Sequence, residues 1–460
     1  MDVTREVAAH LARVRVEDLP TEVVDLTRRF ILDTLATTLA GSSAPGAAEV
    51  CRLAARWGGA PESTILVRGG KVAAPWAALA NSVMGHARDF DDTHDEGVVH
   101  AHVTALPAAL AVAEAHGRVS GADLIRAVAL GVDLACRIGL AVGRANDLSV
   151  AHIGWIRTSI GGVFGAAAAT GAVLGLDEAG MRNALGIALN RAAGTRQPVA
   201  DSALVKRMQP AFATQDGLLA ALLAREGVTG AAQVFEGRYG LFNLYFNGNA
   251  DQATLVDGLG KTFAVTGLSF KPYPCCRYAH GAIEAALTIH GQPGFAVEEV
   301  ARVEVHVPRS SAFDIVSKPW RITTSPQVDA QFSLQYTIAM ALVKGEVFLE
   351  AFEDAYVVGS PALALVPKIA IHQDLTPSAP MGPVRVRVET VTGRTFAAEV
   401  DHYLGSPEKR MDQAAVEAKF RRCAEFAEPA VGPDRAERAL GVIRRLEDLA
   451  DVAELARALA

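Results

Sequence analysis

Apolar residues recur at helical spacing through most of the first half of the chain. Between residues 21 and 40, Val23, Val24, Leu26, Phe30, Ile31, Leu35 and Leu39 follow that spacing, and Gly41 stands at the C-terminal stop. The same periodicity predicts helices over residues 4–17, 46–57, 73–88, 106–115, 178–191 and 209–225, with a short strand at 64–67 closed by Gly69 and Gly70. Ser120 and Asp123 form a capping-box-like start for a long helix reaching about Val142. Residues 158–176 carry no charge over about nineteen positions, near the length that spans a bilayer. They are mostly Ala and Gly, which give little transfer energy, so a buried helix in close contact with its neighbours is expected. Gly161, Gly162 and Gly165 superficially resemble a phosphate loop, but no strand precedes them and no lysine follows.

The pattern changes near residue 268. Val303, Val305 and Val307 point one way and Arg302, Glu304 and His306 the other; residues 384–391 alternate likewise, turn at Thr392 and Gly393, and return along 395–400 as a hairpin. Residues 329–343 read as an amphipathic helix between these strands. Residues 408–427 and 433–458 are helical again and should pack back on the first part. The fold class is therefore mainly α with a smaller α+β domain. A helical domain covers 1–267 and resumes over 403–460, an α+β lid covers 268–402, and the cleft between them is the expected site.

A chain of 460 residues, half of them hydrophobic and few aromatic, can bury the cores of two domains. The net charge of −7 and the lack of any basic run argue against a nucleic-acid partner. An anionic substrate is still allowed, because a pocket's local charge need not follow the total. Five cysteines, Cys275 and Cys276 adjacent, make neither a disulfide framework nor a CxxC metal spacing. The charged, amphipathic N-terminus has no apolar signal segment, which suits a cytoplasmic protein without a membrane partner.

The chemistry gathers in residues 86–102, HARDFDDTHDEGVVHAH, where four aspartates, a glutamate, four histidines and a threonine lie between apolar helices. Such groups are costly to desolvate unless paired, so the stretch is either a solvated loop of helix caps or the floor of an active site. Asp89 falls at or just past a helix C-terminus, where the dipole disfavours negative charge. His100 and His102, with Asp89, Asp91 or Asp92, invite a metal, but the setting is helical and no second His/Asp motif follows, so none is assigned. His94 and His152 read as caps or satisfied loop histidines. Lys206 precedes a long apolar helix against its dipole, unless it is simply solvated. Lys271, Arg277 and His280 share the Pro-stiffened segment KPYPCCRYAH at the domain junction. Cations on a hinge facing an acidic, His-rich cluster suit a polycarboxylate, whereas Cys275 and Cys276 read as structural thiols.

DFDDTH followed by His100, Lys206-Arg207-Met208 before an Ala-rich helix, KPYPCCRYAH and DAQFSLQYTIA together resemble the MmgE/PrpD family, in order and over nearly the whole chain. That family includes 2-methylcitrate dehydratase, cis-aconitate decarboxylase and iminodisuccinate epimerase. The resemblance implies a helical domain plus a lid, a homodimer, and lyase or isomerase chemistry on small carboxylic acids with no metal or other cofactor. It carries catalytic roles onto Asp89, Thr93, His100, Lys206 and Lys271, and substrate contact onto Cys276, His280 and Tyr336. His102 and Arg277 join the substrate-binding set from the cluster and the hinge. Three positions differ from the family pattern. Ile156, in Gly154-Trp155-Ile156-Arg157-Thr158, stands where many members have a histidine, and it cannot transfer a proton. Cys276 replaces a histidine of the decarboxylase branch, and Gln209 stands where a histidine is frequent. These differences argue against decarboxylation and weaken transfer of the methylcitrate activity.

The implied reaction is proton abstraction beside a carboxylate, with Lys206, Lys271 and Arg277 holding the enolate-like charge. His100, oriented by Asp89, and Lys271 are the expected acid/base pair. A dehydratase-type lyase acting on a hydroxylated di- or tricarboxylate fits best. An epimerase using the same groups is the nearest rival, followed by a non-catalytic ligand-binding relative and a metal hydrolase.

Overall fold

The computed structural model describes residues 2–145, 154–378 and 381–460; His152 lies outside them. The fold is mainly α with a smaller α+β unit. Helix Arg157–Val173 runs through the middle of the larger unit and is buried from Arg157 to Ala172. Its small residues are dictated by backbone proximity. A Cβ on Gly131 would come within 2.5 Å of Gly165 O, and one on Gly217 within 2.3 Å of Val163 O. Helices Gly121–Ala145 and Gln209–Arg225 therefore press directly on this one. The uncharged stretch is a core helix, and no helix among the described residues is long and apolar enough to cross a membrane.

Helices Thr21–Gly41, Ala47–Trp57, Ala74–His86 and Glu178–Leu189 match their periodicity. The first helix stops at Arg13, and residues 16–18 form a separate 3-10 turn. The strand at 64–67 shrinks to Ser63–Thr64, paired with Lys71–Val72. The helix expected from residue 106 begins at His102 and continues through Pro107. Proline removes the N–H that would bond Val103 O, and the Ser82 hydroxyl donates to that carbonyl instead at 2.7 Å.

In the smaller unit the sheet order is Ile369–Leu375, Val300–Pro308, Val384–Thr390, Thr395–Val400. The last three are antiparallel, with Val303 opposite Val388 and Val386 opposite Ala398. The first pairs parallel to Val300–Pro308, and sequence periodicity missed it: on this edge its residues 370–373 are all half-buried, so no alternation shows. The helix expected over 329–343 breaks into Pro326–Gln331 and Leu334–Lys344, with the Ser333 hydroxyl accepting from Tyr336 N at 3.2 Å to cap the second piece. Helix His280–His290, also unforeseen, packs on Leu334–Lys344 and the sheet.

Two main cores form among the described residues. One joins residues from Val3 to Phe270 with Phe348, Leu349 and those from Met411 to Leu459; the other draws on residues between Tyr273 and Tyr403. Helix Gln413–Ala424 returns onto Thr21–Gly41 and carries the buried Lys419. The Lys419 ammonium donates to Asp33 Oδ1 at 2.7 Å, Phe90 O at 2.9 Å and Lys271 O at 3.0 Å. Burial, opposed by Lys419, raises the Asp33 carboxyl to about 6. Replacing Lys419 with Ala strands that carboxylate and two carbonyls, so urea unfolding should show a loss of ~3 kcal/mol. Adding Asp33→Asn should recover part of it.

Candidate functional site

Helix Ala74–His86 ends just before the acidic stretch, and Asp89 takes a left-handed backbone conformation with φ +53°. A non-glycine residue adopts this at a cost of ~1 kcal/mol, so the surroundings must hold it there. They do so through two ammonium groups. Lys206, on the 3-10 turn Leu204–Met208, donates to Asp89 Oδ1 at 2.9 Å. Lys271 Nζ lies 3.3 Å from Asp89 Oδ2 and donates to Asp89 O at 2.9 Å. Lys271 is delivered by strand Leu268–Ser269, which pairs with Thr93–His94 and so stitches the hinge to the acidic cluster. Burial alone would raise the Asp89 pKa, but Lys206 and then Lys271 outweigh it and hold the carboxyl well below its usual range. Burial likewise pulls Lys271 down, and Asp89 and Asp91 more than reverse it, so Lys271 stays an ammonium at neutral pH.

Asp91, fully buried, organises the histidines. His86 Nδ1 lies 2.9 Å from Asp91 Oδ2 and His100 Nδ1 3.2 Å from the same oxygen, the two rings meeting edge to face. His100 is thus oriented by Asp91, not by Asp89 as the sequence suggested. An ammonium has no acceptor, so Lys206 Nζ, 3.3 Å from His86 Nε2, must donate there and leave His86 neutral with its proton on Nδ1. Burial, opposed by Asp91 and reinforced by Lys206, lowers His86 to about 4. His100 Nδ1 is buried against Asp91, so the exposed fifth of this side chain is the opposite edge, which carries Nε2. His100 N also donates to Thr158 Oγ1 at 3.1 Å, pinning the loop to the central helix.

These groups line a cavity of about 140 Å³ between the two units, adjoining an outer cleft of about 380 Å³ that shares Asp89, Lys206 and Phe332. Asp89, Thr93, His100, Lys206, Lys271, Cys276 and Arg277 all border the inner cavity. Three residues expected at the substrate lie elsewhere, buried away from the cavity. His102 has no exposure, its Nδ1 3.3 Å from Asp92 Oδ2 and its ring stacked on Phe30. His280 is equally buried behind Arg277, with Nδ1 3.3 Å from Arg277 Nη1. Tyr336 sits in the core of the smaller unit and donates to Ala351 O at 2.6 Å. Burial pushes the Cys276 thiol up to about 11, as befits a structural cysteine.

Sequence reasoning missed His86 and the role of Asp91, although both stand in the stretch it singled out. It also missed Gln331, in DAQFSLQYTIA, whose amide donates to Arg88 O at 2.7 Å and Pro274 O at 2.9 Å and so joins the two loops. His86, Asp91 and His100 offer ligand atoms within 4.8 Å of one another, a spacing a divalent ion would accept. As arranged, both Nδ1 atoms face the Asp91 carboxylate, and an ion would have to replace that pairing.

Residues 5–253 match the MmgE/PrpD N-terminal domain and residues 273–448 the MmgE/PrpD C-terminal domain. The chain belongs to the MmgE/PrpD family. This MmgE/PrpD protein is 28% identical to the cis-aconitate decarboxylase-like protein oryM of Aspergillus oryzae, over 99% of this chain and 96% of that one. It is 29% identical to a cis-aconitate decarboxylase of Aspergillus terreus over 76% and 74% of the two chains. It is 26% identical to the cis-aconitate decarboxylase of Homo sapiens over 98% and 93%. In this family member Ile156 and Gln209 border the inner cavity with Cys276, so the three departures from the family pattern all face one space.

The folded-state pKa of His86 is depressed, so its contribution is complete above its ordinary value near 6.5 and is lost as pH falls toward 4. Unfolding free energy should therefore decline by up to ~3 kcal/mol across that window from this residue alone. In His86→Gln the same denaturant titrations should show a flatter profile above pH 4.5.

Proposed function

We propose that this protein is a lyase acting on a hydroxylated di- or tricarboxylate by proton abstraction next to a carboxylate and loss of water. The observation that carries the reading is the meeting of Lys206, Lys271, Asp89 and His100 at one cavity between the two units. His100 Nε2 takes the proton on the carbon beside a carboxylate, and the electron pair moves into that carboxylate as an enolate-like dianion. Lys271, held charged, stabilises it as a fixed cation. That role replaces Lys271 as a proton carrier: its ammonium is 1% exposed and bonded to Asp89 on two sides. When the electron pair returns, a carbon–carbon double bond forms and the β-hydroxyl departs as water with a proton from the more exposed Lys206. Thr93 and Arg277 orient the substrate. A homodimer and a cytoplasmic location belong to the same reading.

Loss of carbon dioxide is the second reading, favoured by the names of the relatives. Cys276, where that branch has a histidine, and Ile156, where many family members have one, weigh against it, because neither exchanges protons at neutral pH. Proton NMR in deuterated water over hydroxylated di- and tricarboxylates and cis-aconitate separates the outcomes. A new vinylic signal with loss of the carbinol proton supports dehydration, and carbon dioxide release supports decarboxylation. Deuterium in otherwise unchanged substrate indicates an epimerase. Lys206→Ala, Lys271→Ala and His100→Gln should each slow turnover at least ~100-fold. Undiminished turnover in both lysine variants defeats the proposal.

A further inference from the structure

The inner cavity is bordered by five cations, Arg157, Arg196, Lys206, Lys271 and Arg277, against one carboxylate, Asp89. Lys206 and Lys271 share Asp89, and Arg277 Nε lies 3.4 Å from Asp95 Oδ2. Arg157 and Arg196 remain. Neither has a carboxylate within ion-pair distance among the described residues. Among the described residues Arg157, 8% exposed, makes one side-chain hydrogen bond, from Nη1 to Gly97 O at 3.3 Å, and Arg196 Nη1 is buried without a partner.

Backbone pairing brings the two guanidinium groups to the same end of the cavity. Trp155 bridges Thr195 in antiparallel fashion, Ile156 N donates to Gly194 O at 3.0 Å and Arg196 N to Gly154 O at 2.9 Å. Gly194, at φ +121°, permits this approach, since a Cβ there would come within 2.6 Å of Ser159 Cβ. Arg157 and Arg196 lie within electrostatic reach of each other and of the Tyr278 phenol, and burial depresses both. Two like charges, one buried and one half-buried, within electrostatic reach of each other are unfavourable unless an anion joins them. Guanidinium forks suit a planar carboxylate, which they bind through paired N–H donors.

We infer that Arg157 and Arg196 form a second anion-binding pole that holds a substrate carboxylate remote from the carbon losing its proton. This rests on the lyase reading and deepens it: the substrate carries at least two carboxylates, one at the lysine pole and one at the arginine pole. A monocarboxylate of the same length would leave the arginines uncompensated. Arg157 and Arg196 are thus the residues that select by charge number, at the position where Ile156 has removed a proton-transfer group.

Calorimetric titration of the full chain with propane-1,2,3-tricarboxylate and with butyrate tests this without turnover. The wild type should bind the tricarboxylate more tightly than butyrate. Arg196→Gln should weaken tricarboxylate binding about tenfold or more, with less than about twofold change for butyrate, and Arg196→Lys should recover part of the loss. Arg157→Gln should act in the same direction; Arg196, half-buried, keeps the test decisive if the Arg157 variant does not fold. Unchanged tricarboxylate affinity in Arg196→Gln overturns the inference, as does an equal loss for butyrate. If the wild type also dehydrates polycarboxylates, the lyase reading survives that result. A wild type that neither binds nor converts any polycarboxylate overturns both.

Discussion

One carboxylate shared by two ammonium groups is the constraint on which this structure turns. Asp89 accepts Lys206 and Lys271 from segments each more than a hundred residues away from it in sequence, and it does so in a backbone conformation that disfavours any side chain. Buried ion pairs return little net stability, because desolvation offsets most of their attraction. What the arrangement provides is position: without the shared anion the two lysines would repel each other out of the cavity. Lys419 reinforces it from behind by binding the carbonyls of Phe90 and Lys271, the residues that follow Asp89 in one loop and open the hinge in the other. The C-terminal helices are therefore part of the site's scaffold although none of them reaches the cavity.

Much of this was legible in the residues, and the parts that were not have physical reasons. Charged side chains among apolar helices stand out because they need partners, so Asp89, Lys206 and Lys271 could be singled out without knowing how the chain folds. Helices with small-residue faces were legible for the same kind of reason. The edge strand Ile369–Leu375 was not, because an edge buried unevenly on both faces shows no period of two. The assignment of histidines to carboxylates also escaped. Asp91 and Asp92 are neighbours, and each takes one histidine of the His100-x-His102 pair, Asp91 toward the cavity and Asp92 into the core. Sequence shows that both kinds of residue are there; only the path of the loop decides which histidine borders the cavity. Tyr336 was misplaced for a related reason. Its motif marks a helix whose polar neighbour Gln331 joins the loops, while the tyrosine itself fills the core of the smaller unit.

Separating fixed charge from mobile protons clarifies the site further. Lys271 is too buried and too strongly compensated to release a proton near neutral pH, and His86 has both ring nitrogens engaged. His100 has a ring edge free toward the cavity, and Lys206 is exposed enough to exchange with water. The fully engaged groups, Lys271 and His86, and the groups with an open face, Lys206 and His100, are therefore different residues, with Asp89 beside the lysines and Asp91 beside the histidines.

The charge distribution sets where selection can occur. The chain as a whole is acidic, at −7, while the inner cavity is strongly cationic. At physiological ionic strength the field of surface carboxylates fades over ~8 Å, so it neither steers nor strongly repels a small anion approaching from solution. At the buried wall of the cavity, formed by Lys271 and Asp89, charges interact more strongly than in bulk water. On the proposed reading a substrate is recognised by how many of its carboxylates reach a cation not already paired, and Asp89 limits that number by occupying the lysines in part. Among the described residues the lining of that cavity holds five cationic side chains and one carboxylate. On the proposed reading, recognition and catalysis draw on the same field: a carboxylate at the arginines would fix the orientation in which the other meets Lys271 and presents its neighbouring carbon to His100.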